Sequence, residues 1–387
     1  IAVGEYQNDD GGDNNGAVWI MFLNTTGGVS SEYKINESRF GNGNELEGST
    51  WFGISVANIG DLNNDGVQDI AVGELHNNDG GALNGAVWIL FLNTSGGVIN
   101  EYKINESRFG NGNELGGNEL GYSIANIGDL NNDGVQDIAV GEYLCSDGGA
   151  SNGAVWIMFL NTSGGVINEY KINESRFGNG AELSGDSFGI SLADIGDLNN
   201  DGVTDIAVGE YQNDDGGASN GAVWIMFLNT SGGVDSEYKI NSSRFGNGSE
   251  LNGNWFGVAV AGIGDVNNDS VEDIVVGEPY NDDGGNNNGA VWIMFLNTTG
   301  GVSSEYKINE SRFGDGNELN SNGLGNAVSS LGDLNNDGVQ DIAVGEWHRA
   351  DGGTNEGAVW IMFLNGSSGL GGSDSVSPNV TINYPSG

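Results

Sequence analysis

The chain of 387 residues carries 54 acidic and 11 basic side chains, which gives a formal net charge of −43. A field of this sign repels nucleic acids and anionic membranes, so neither is an expected partner. The single cysteine, Cys145, excludes an intramolecular disulfide, and the lack of a long apolar run predicts no membrane-inserted helix.

Candidate strands recur along the chain in a fixed order. The first set is GAVWIMFLN (16–24), SEYKINESRF (31–40), WFGISVANIG (51–60) and DIAVGEL (69–75), separated by clusters of Gly, Asn and Asp. The set then repeats with a period of about 68 residues. Its GAVWI segments begin at Gly16, Gly85, Gly153, Gly221, Gly289 and Gly357.

The pattern within each repeat predicts the fold class. The segment AVWIMFL is apolar at every position, so we expect both of its faces to be buried. The segment YKINES alternates, which places Lys34, Asn36 and Ser38 on one solvent-exposed face. Four strands per repeat, without a long helical pattern, predict an all-β propeller of four-stranded antiparallel blades. Six blades fit the chain best, and seven are the alternative.

The strand count leaves the blades at the two ends of the chain incomplete. We expect a propeller over residues 1–365, a Gly/Ser-rich linker at 366–377 and a strand-like tail at 378–387. The tail contains TIN, which is similar to the KIN strand and would supply a sixth outer strand. The sixth inner strand would lie upstream of Ile1 or come from another molecule. A strand donated between molecules in this way would build an open head-to-tail assembly.

An acidic loop of nine residues, DLNNDGVQD, stands unchanged at 61–69, 129–137 and 333–341 and recurs with small changes at 197–205 and 265–273. Oxygen-bearing side chains stand at positions 1, 3, 5 and 9, and the carbonyl oxygen of position 7 adds a further ligand. Such a set suits Ca²⁺, whereas Mg²⁺ needs a stricter octahedron, and Zn²⁺ or Cu²⁺ would favour Cys or His. We therefore predict five Ca²⁺ sites. Their residues are Asp61, Asn63, Asp65, Val67 and Asp69; Asp129, Asn131, Asp133, Val135 and Asp137; Asp197, Asn199, Asp201, Val203 and Asp205; Asp265, Asn267, Asp269, Val271 and Asp273; and Asp333, Asn335, Asp337, Val339 and Asp341.

The alternative interpretation of these loops is a set of turns in which Asp and Asn cap strands. Five copies in register argue against it, because three unpaired carboxylates in each loop would repel one another without a cation. Gly66 stands where the chain must turn sharply and needs a positive φ. In the fourth copy Ser270 replaces this glycine, so we expect a weaker site there.

The loop and its flanks resemble the FG-GAP repeat of integrin-alpha-like β-propellers. The segment FGISVANIGDLNNDGVQDIAVGE carries the resemblance, with Phe52-Gly53 at its start and Gly-Glu in place of the family's final Ala-Pro. Two further copies have Phe-Gly and two have Leu-Gly, and the resemblance covers almost the whole chain. It implies a propeller with Ca²⁺ in the hairpin between the first and second strands of a blade. It does not imply the function of an integrin.

Two series of N-x-Ser/Thr sequons predict N-linked glycans on an extracellular, secreted or cell-surface chain. The first series follows each VWI strand, the second lies on the outer strand, and one further sequon lies in the tail. The alternative is that duplication of Asn- and Ser-rich repeats produced them. The predicted glycosylation sites are Asn24, Asn93, Asn161, Asn229, Asn297 and Asn365; Asn36, Asn105, Asn173, Asn241 and Asn309; and Asn379.

The remaining repeated charges have structural interpretations. All five lysines occupy one outer-strand position, where they would block edge-to-edge pairing. The Asp of each DGG motif is expected in a hairpin turn, and the role of the Glu in each VGE motif is left open. The two histidines, His76 and His348, have no repeated Ser or Cys partner, so we expect no enzymatic activity.

The sequence leaves two functions open. The first is a calcium-stabilised, glycosylated structural component of a matrix, surface layer or filament, with copies of itself as partners. The alternative is an adhesion module that binds extracellular protein or carbohydrate through loops on one face. Aromatic or polar residues that break the repeat on that face would favour the alternative.

Overall fold

The computed structural model describes most of the repeat region and one short piece of the tail. Described are residues 1–364, except for loop segments 11–12, 25–27, 41–45, 47–48, 80, 110–113, 117, 148, 178–181, 184, 246–249, 252, 284, 314–318, 320–322 and 348–356, together with residues 381 and 382. The predicted linker and most of the predicted tail therefore lie outside the described residues.

The first of two compact units comprises Ile1–Ile190 with Thr230–Gly233 and holds three antiparallel sheets. The first sheet has three strands and the next two have four each. In chain order the strands are β1 (Ala2–Glu5), β2 (Ala17–Leu23) and β3 (Val29–Ile35); β4 (Phe52–Asn58), β5 (Ile70–Glu74), β6 (Ala86–Leu92) and β7 (Val98–Ile104); and β8 (Ile124–Asn126), β9 (Ile138–Glu142), β10 (Ala154–Leu160) and β11 (Val166–Ile172).

The second unit comprises Ser191–Asn229 with Val234–Gly387 and holds three four-stranded sheets. Their strands are β12 (Leu192–Asp194), β13 (Ile206–Glu210), β14 (Ala222–Leu228) and β15 (Val234–Ile240); β16 (Val260–Gly264), β17 (Asp273–Glu278), β18 (Ala290–Leu296) and β19 (Val302–Ile308); and β20 (Leu324–Gly332), β21 (Asp341–Glu346), β22 (Ala358–Phe363) and β23 (Thr381–Ile382).

These sheets confirm the predicted fold class, an all-β propeller of six blades, and give no seventh sheet within the described residues. Neighbouring strands in each sheet follow one another along the chain and pair antiparallel, as the repeat predicted. The described part of the chain contains no α-helix, and therefore no helix that is long and apolar enough to cross a membrane. It does contain five short 3₁₀ helices, at Glu37–Arg39, Glu106–Arg108, Glu174–Arg176, Ser242–Arg244 and Glu310–Arg312.

The strands with the continuous apolar run supply much of the core. In β6, β10, β14 and β18 every residue is buried, which confirms the prediction for these four strands. The prediction is wrong for β2 and β22, which are only partly buried and in which Leu23 is 45% and Val359 is 66% exposed. In the first unit, Ile89 and Phe91 of β6 pack in one cluster with Ile59 and Leu62, which flank the start of the acidic loop. Burial of apolar area at about 25 cal/mol per Å² makes this packing the main stabilising term of each blade.

The outer strand is shorter than predicted and its lysine is not solvent-exposed. Strand β3 ends at Ile35 and a 3₁₀ helix follows, so Asn36 and Ser38 do not continue the alternation. The Lys34 side chain is only 18% exposed, because it turns inward over the ring of Trp19 and pairs with acidic side chains. The predicted exposed face is therefore wrong at this lysine, whose charge is neutralised locally.

The tail completes the last sheet. Strand β23 pairs antiparallel with β22 through Met362–Ile382 and Phe363–Thr381, which confirms the predicted sixth outer strand. Because the backbone groups of β23 pair with β22 of the same chain, the structure gives no support for donation of the tail strand to another molecule.

Candidate functional site

Each acidic loop connects the first two strands of a sheet, where the sequence placed it. In the first copy, the backbone N–H of Asp65 donates to Oδ1 of Asp61 and of Asn63, both at 2.9 Å. Gly66 donates to the second oxygen of Asp61 at 2.8 Å, and Val67 donates to Asp65 at 2.9 Å. The same bonds recur in the other four copies, so one backbone geometry serves all five loops.

The last aspartate of each loop is a buried anchor. Asp69 is 0% exposed and accepts the backbone N–H of Leu62 at 3.1 Å and of Leu92 at 3.0 Å, which ties the loop to the end of β6. Burial raises the pKa of this carboxyl, and the two backbone donors offset part of that rise. Burial likewise raises the pKa of Asp137 to about 6 and of Asp205 and Asp273 to about 7.

The turn at position 6 has the predicted left-handed backbone. Gly66 has a φ of 90°, and Ser270 is held at 69° in the fourth copy. A residue with a Cβ is strained there, which costs roughly 1 kcal/mol. The fourth loop therefore keeps the geometry of the others at an energetic cost.

The loops fit Ca²⁺ in their chemistry, and their carboxylates are bonded to loop amides. Every side-chain atom of the loop that could bind the ion is an oxygen, which is the ligand type that Ca²⁺ prefers. Within the described ranges, no group of three or more His, Cys, Asp or Glu side chains stands close enough to hold an ion. In the first loop, Asp61, Asn63, Asp65 and Asp69, with the carbonyl oxygen of Val67, would be the residues that hold Ca²⁺, and the five sites stay a prediction.

A second repeated cluster shows the role of the glutamate in each VGE motif, which the sequence left open. Glu74 is 0% exposed and accepts the indole N–H of Trp88 at 2.8 Å, while its Oε2 lies 3.2 Å from Nζ of Lys103. Lys103 also pairs with Asp79 of the DGG motif at 2.8 Å and lies 4.8 Å from the Trp88 ring centroid. The lysine thus links the second, third and fourth strands of its blade and is not an edge-blocking residue.

The electrostatics of this cluster depend on burial. Burial raises the pKa of Glu74 to about 7 despite the charge of Lys103. Burial also acts to raise the pKa of Asp79, but its bond and charge pairing with Lys103 lower it overall. Equivalent ion pairs join Lys34 to Glu5 and Asp10, Lys171 to Glu142 and Asp147, Lys239 to Glu210 and Asp215, and Lys307 to Glu278 and Asp283.

The predicted sequons form turns. Asn93 accepts bonds from the backbone of Ser95 at 2.9 Å and of Gly97 at 3.1 Å, and from the Ser95 hydroxyl at 2.6 Å. Asn105 accepts from the backbone of Ser107 at 3.2 Å, which caps the 3₁₀ helix, and donates to Asp79 at 3.1 Å. The motif therefore has a structural role in both series, whether or not a glycan is attached. Asn365 and Asn379 lie outside the described residues.

A cluster of rings on neighbouring loops was not foreseen from the sequence. In the first unit, the rings of Tyr6 and His76 lie 5.4 Å and 4.3 Å from that of Trp51. Nε2 of His76 lies 3.7 Å from Oε1 of Glu119, whose Oε2 accepts the hydroxyl of Tyr143 at 2.8 Å. The Tyr143 ring lies 4.4 Å from that of Tyr122. We call Tyr6, Trp51, His76, Tyr122 and Tyr143 the first aromatic cluster.

The second unit contains a similar series. The Trp255 ring lies 4.9 Å from Tyr211 and 4.5 Å from Tyr280, and Tyr280 lies 6.3 Å from Trp347. These four residues form the second aromatic cluster. The signal that could have found both clusters is departure from the repeat, because these positions change from copy to copy.

Comparison with known proteins assigns the family. The sequence profile described as the FG-GAP repeat matches residues 52–90, 120–158, 189–226, 256–294 and 324–362, about half of the chain. The chain belongs to the FG-GAP repeat family. Each FG-GAP segment runs from the first strand of a sheet into the third and includes one acidic loop and one Glu–Trp pair. The lysine that pairs with this glutamate lies on the fourth strand, beyond the matched segment.

The FG-GAP chain is similar to parts of integrin alpha subunits. It is 32% identical to integrin alpha-4 of Xenopus laevis over 167 residues, which are 43% of this chain and 15% of that protein. It is 36% identical to integrin alpha-6 of Gallus gallus over 163 residues (41% and 13%) and 32% identical to integrin alpha pat-2 of Caenorhabditis briggsae over 235 residues (56% and 17%). The chain thus spans less than a fifth of the length of these relatives.

Proposed function

We propose that the chain is an extracellular, calcium-stabilised adhesion or binding module without enzymatic activity, which binds ligands through the loops that carry the aromatic clusters. The observation that carries this proposal is the set of positions at which the residue differs from repeat to repeat. Trp51 and Trp255 stand at a position that holds Glu119, Ser187 and Gly323 in the other copies. A purely structural repeat has no need for such variation, whereas a binding surface does.

The nature of the variable residues supports the same proposal. Trp and Tyr are enriched at binding surfaces because they offer a large, rigid contact area and a polar tip. Tyr6 and Trp347 keep 37% and 39% of their surface exposed. The similarity to integrin alpha subunits is compatible with a role at the cell surface.

Calcium is the second part of the proposal. Five all-oxygen loops with a common backbone support one ion each, held by the loop residues named above. A bound ion would stabilise the hairpin between the first and second strands. It would also neutralise part of the negative charge that opposes compaction.

N-glycosylation is the third part. The Asn residues of the turn series are partly exposed in the described copies, and the residue after each one is exposed in all but the first, where it is not described. In the outer-strand series the amide oxygen accepts a backbone N–H and the amide nitrogen donates to an aspartate at Asn105, Asn173, Asn241 and Asn309. Asn105 is also only 8% exposed, whereas the other copies are partly exposed. We expect higher occupancy in the turn series, measurable by peptide mapping after enzymatic removal of N-glycans, and equal occupancy in both series would contradict this ranking.

The experiment for the binding function uses the whole chain on beads with intact cells and extracellular matrix as targets. We expect saturable binding in Ca²⁺ that is lost when Trp51 and Trp255 are both replaced by Gly, the residue of the equivalent fifth position. Ile99 and Ile167, each 56% exposed on outer strands, give a matched control when both are changed to Ala. Binding that survives the Trp changes, or no binding at all, would contradict the proposal.

A structural component of a matrix, surface layer or filament is the second candidate. It is supported by the near-identity of the repeats outside the aromatic positions. Its partners would be copies of the chain itself. Sedimentation and electron microscopy at increasing protein concentration would detect such assemblies, and a chain that stays monomeric would exclude this candidate.

A further inference from the structure

We infer that the two aromatic clusters bind neutral carbohydrate, an assignment of ligand class that rests on the proposed binding function. The inference is argued from the backbone beneath the rings, from the exposure of the rings, and from the charges around them.

The backbone at the central ring gives no local reason for tryptophan. Trp51 and Trp255 have φ values of 56° and 61°, and the equivalent Glu119, Ser187 and Gly323 have 62°, 57° and 65°. A left-handed conformation favours glycine and disfavours bulky side chains. Two of the five copies nevertheless place the largest side chain there. Local conformation therefore does not explain these residues, whereas a contact made by their rings does.

The rings are held in fixed positions and are partly accessible. The Trp51 ring is partly exposed and contacts the rings of Tyr6 and His76 at tilted angles of 52° and 36°. Trp255 contacts Tyr211 and Tyr280 almost edge-on, at 73° and 72°. Such packing fixes each ring in advance and lowers the entropic cost of binding. A sugar ring, with an apolar C–H face and polar hydroxyls, matches an aromatic face surrounded by polar groups.

Exposed polar residues stand close to the ring residues along the chain. Gln7 directly follows Tyr6, Asp9 stands three residues after it, and Asn78 stands two residues after His76. Amides and carboxylates are the usual partners that orient a polar ligand in a site lined by aromatic side chains.

Charge disfavours an anionic ligand. The net charge of −43 opposes phosphate- or sulfate-bearing ligands. A cationic ligand on aromatic rings is favoured by a carboxylate beside them. In the first cluster Glu119 is only 8% exposed, and its two oxygens already contact His76 and Tyr143. A cationic ligand would therefore depend on exposed acidic residues such as Asp9, and a lysine-rich peptide is the charged competitor in the test.

The test uses the whole chain in Ca²⁺ with a panel of neutral oligosaccharides, read by tryptophan fluorescence and calorimetry. For the oligosaccharide that binds, we expect Trp51→Gly and Trp255→Gly each to weaken one class of site by about tenfold. Ile99→Ala and Ile167→Ala should leave affinity unchanged. Thermal unfolding checks that each variant is folded, and Trp51→Phe should keep part of the affinity, because it retains a ring.

The outcomes separate the ligand class from the binding function. If no neutral oligosaccharide binds but a lysine-rich peptide or a matrix protein does, and the Trp variants lose it, the carbohydrate inference is wrong and the binding function stands. If cells and matrix also fail to bind, both are wrong. Carbohydrate binding that persists in the folded Trp variants would place the sugar elsewhere and overturn the inference.

Discussion

Strand β5 carries a different kind of loop at each of its ends. Before Ile70 stands the acidic loop, whose oxygen-bearing residues and hydrogen bonds recur in all five copies. After Glu74 stands His76 in a loop whose residues change from copy to copy. The oxygen-bearing residues of the acidic loop repeat because its backbone N–H groups need the same acceptors, and its oxygens would bind the same ion, in every copy. Positions that contact a ligand need not repeat, because no hydrogen bond within the loop requires a particular residue there.

The largest effect that tests this difference is removal of calcium. An ion present at 100 to 1,000 times its Kd and bound only by the folded chain adds about 3–4 kcal/mol per site. We expect a chelator to lower the Tm substantially, and an excess of Ca²⁺ to restore it where Mg²⁺ does not. Calorimetry or circular dichroism measures this change. An unchanged melting curve would mean that the acidic loops repeat for their amide bonds alone.

A single substitution separates the two roles within one loop. Asp205→Ala removes the buried acceptor of Leu198 and Leu228, which leaves two buried N–H groups unsatisfied. We expect about 3 kcal/mol of destabilisation even in chelator. In Ca²⁺ the loss should be larger, because Asp205 is also a predicted ligand. The control Asp201→Ala removes an exposed carboxylate and should matter mainly when calcium is present. Denaturant unfolding of both variants in chelator and in Ca²⁺ decides between them, and equal behaviour would show that the two aspartates act alike.

The glutamate at the other end of β5 gives a pH effect. Its folded pKa of about 7 lies above the ordinary 4.5, so the folded chain binds more protons between these values and its stability falls as pH rises through that window. Glu74→Gln should remove this component, at most about 3 kcal/mol, and gain stability relative to the natural chain above pH 7. Unfolding at several pH values measures the difference between the two curves.

The first copy of the same cluster provides the matched control. Burial acts to raise the pKa of Glu5, but its bonds to Trp19, Asn8 and Lys34 lower it overall. Its contribution is therefore present above pH 4.5 and lost as pH falls, and Glu5→Gln should destabilise where Glu74→Gln stabilises. The same sign in both variants would contradict burial as the cause of the difference.

The smallest expected effect concerns the turn in the acidic loop. Ser270→Gly relieves the left-handed strain at a φ of 69° and should stabilise the chain by about 1 kcal/mol. The reverse change, Gly202→Ser, should cost a similar amount at a φ of 90°. Chemical denaturation in chelator measures the free-energy cost of the backbone strain without the contribution of calcium. If both changes are neutral, the shared loop geometry carries no strain.

Sequence reasoning predicted those features that depend on residues close together in the chain. The period gave the sheets and their order, the continuous apolar run gave the buried third strand, and Gly66 gave the left-handed turn. It failed at the outer strand, where Asn side chains bend the chain into a 3₁₀ helix and the lysine turns inward. An alternating pattern describes a strand in isolation, and here side-chain bonds to other strands took precedence.

The sequence by itself determined that this chain is a β-repeat with five oxygen-rich loops of one geometry, because alternation, apolar runs and turn residues act over a few positions. Only the tertiary structure decided what the isolated charges and rings do. Glu74 meets Trp88 and Lys103, and Trp51 meets His76, through contacts between separate strands and loops. Ser55 donates to the carbonyl of Gly121 in the next repeat, 66 residues away. Such contacts are set by how the sheets pack, which no local pattern specifies, and they supply the buried charge clusters and the aromatic surface proposed here as a ligand site.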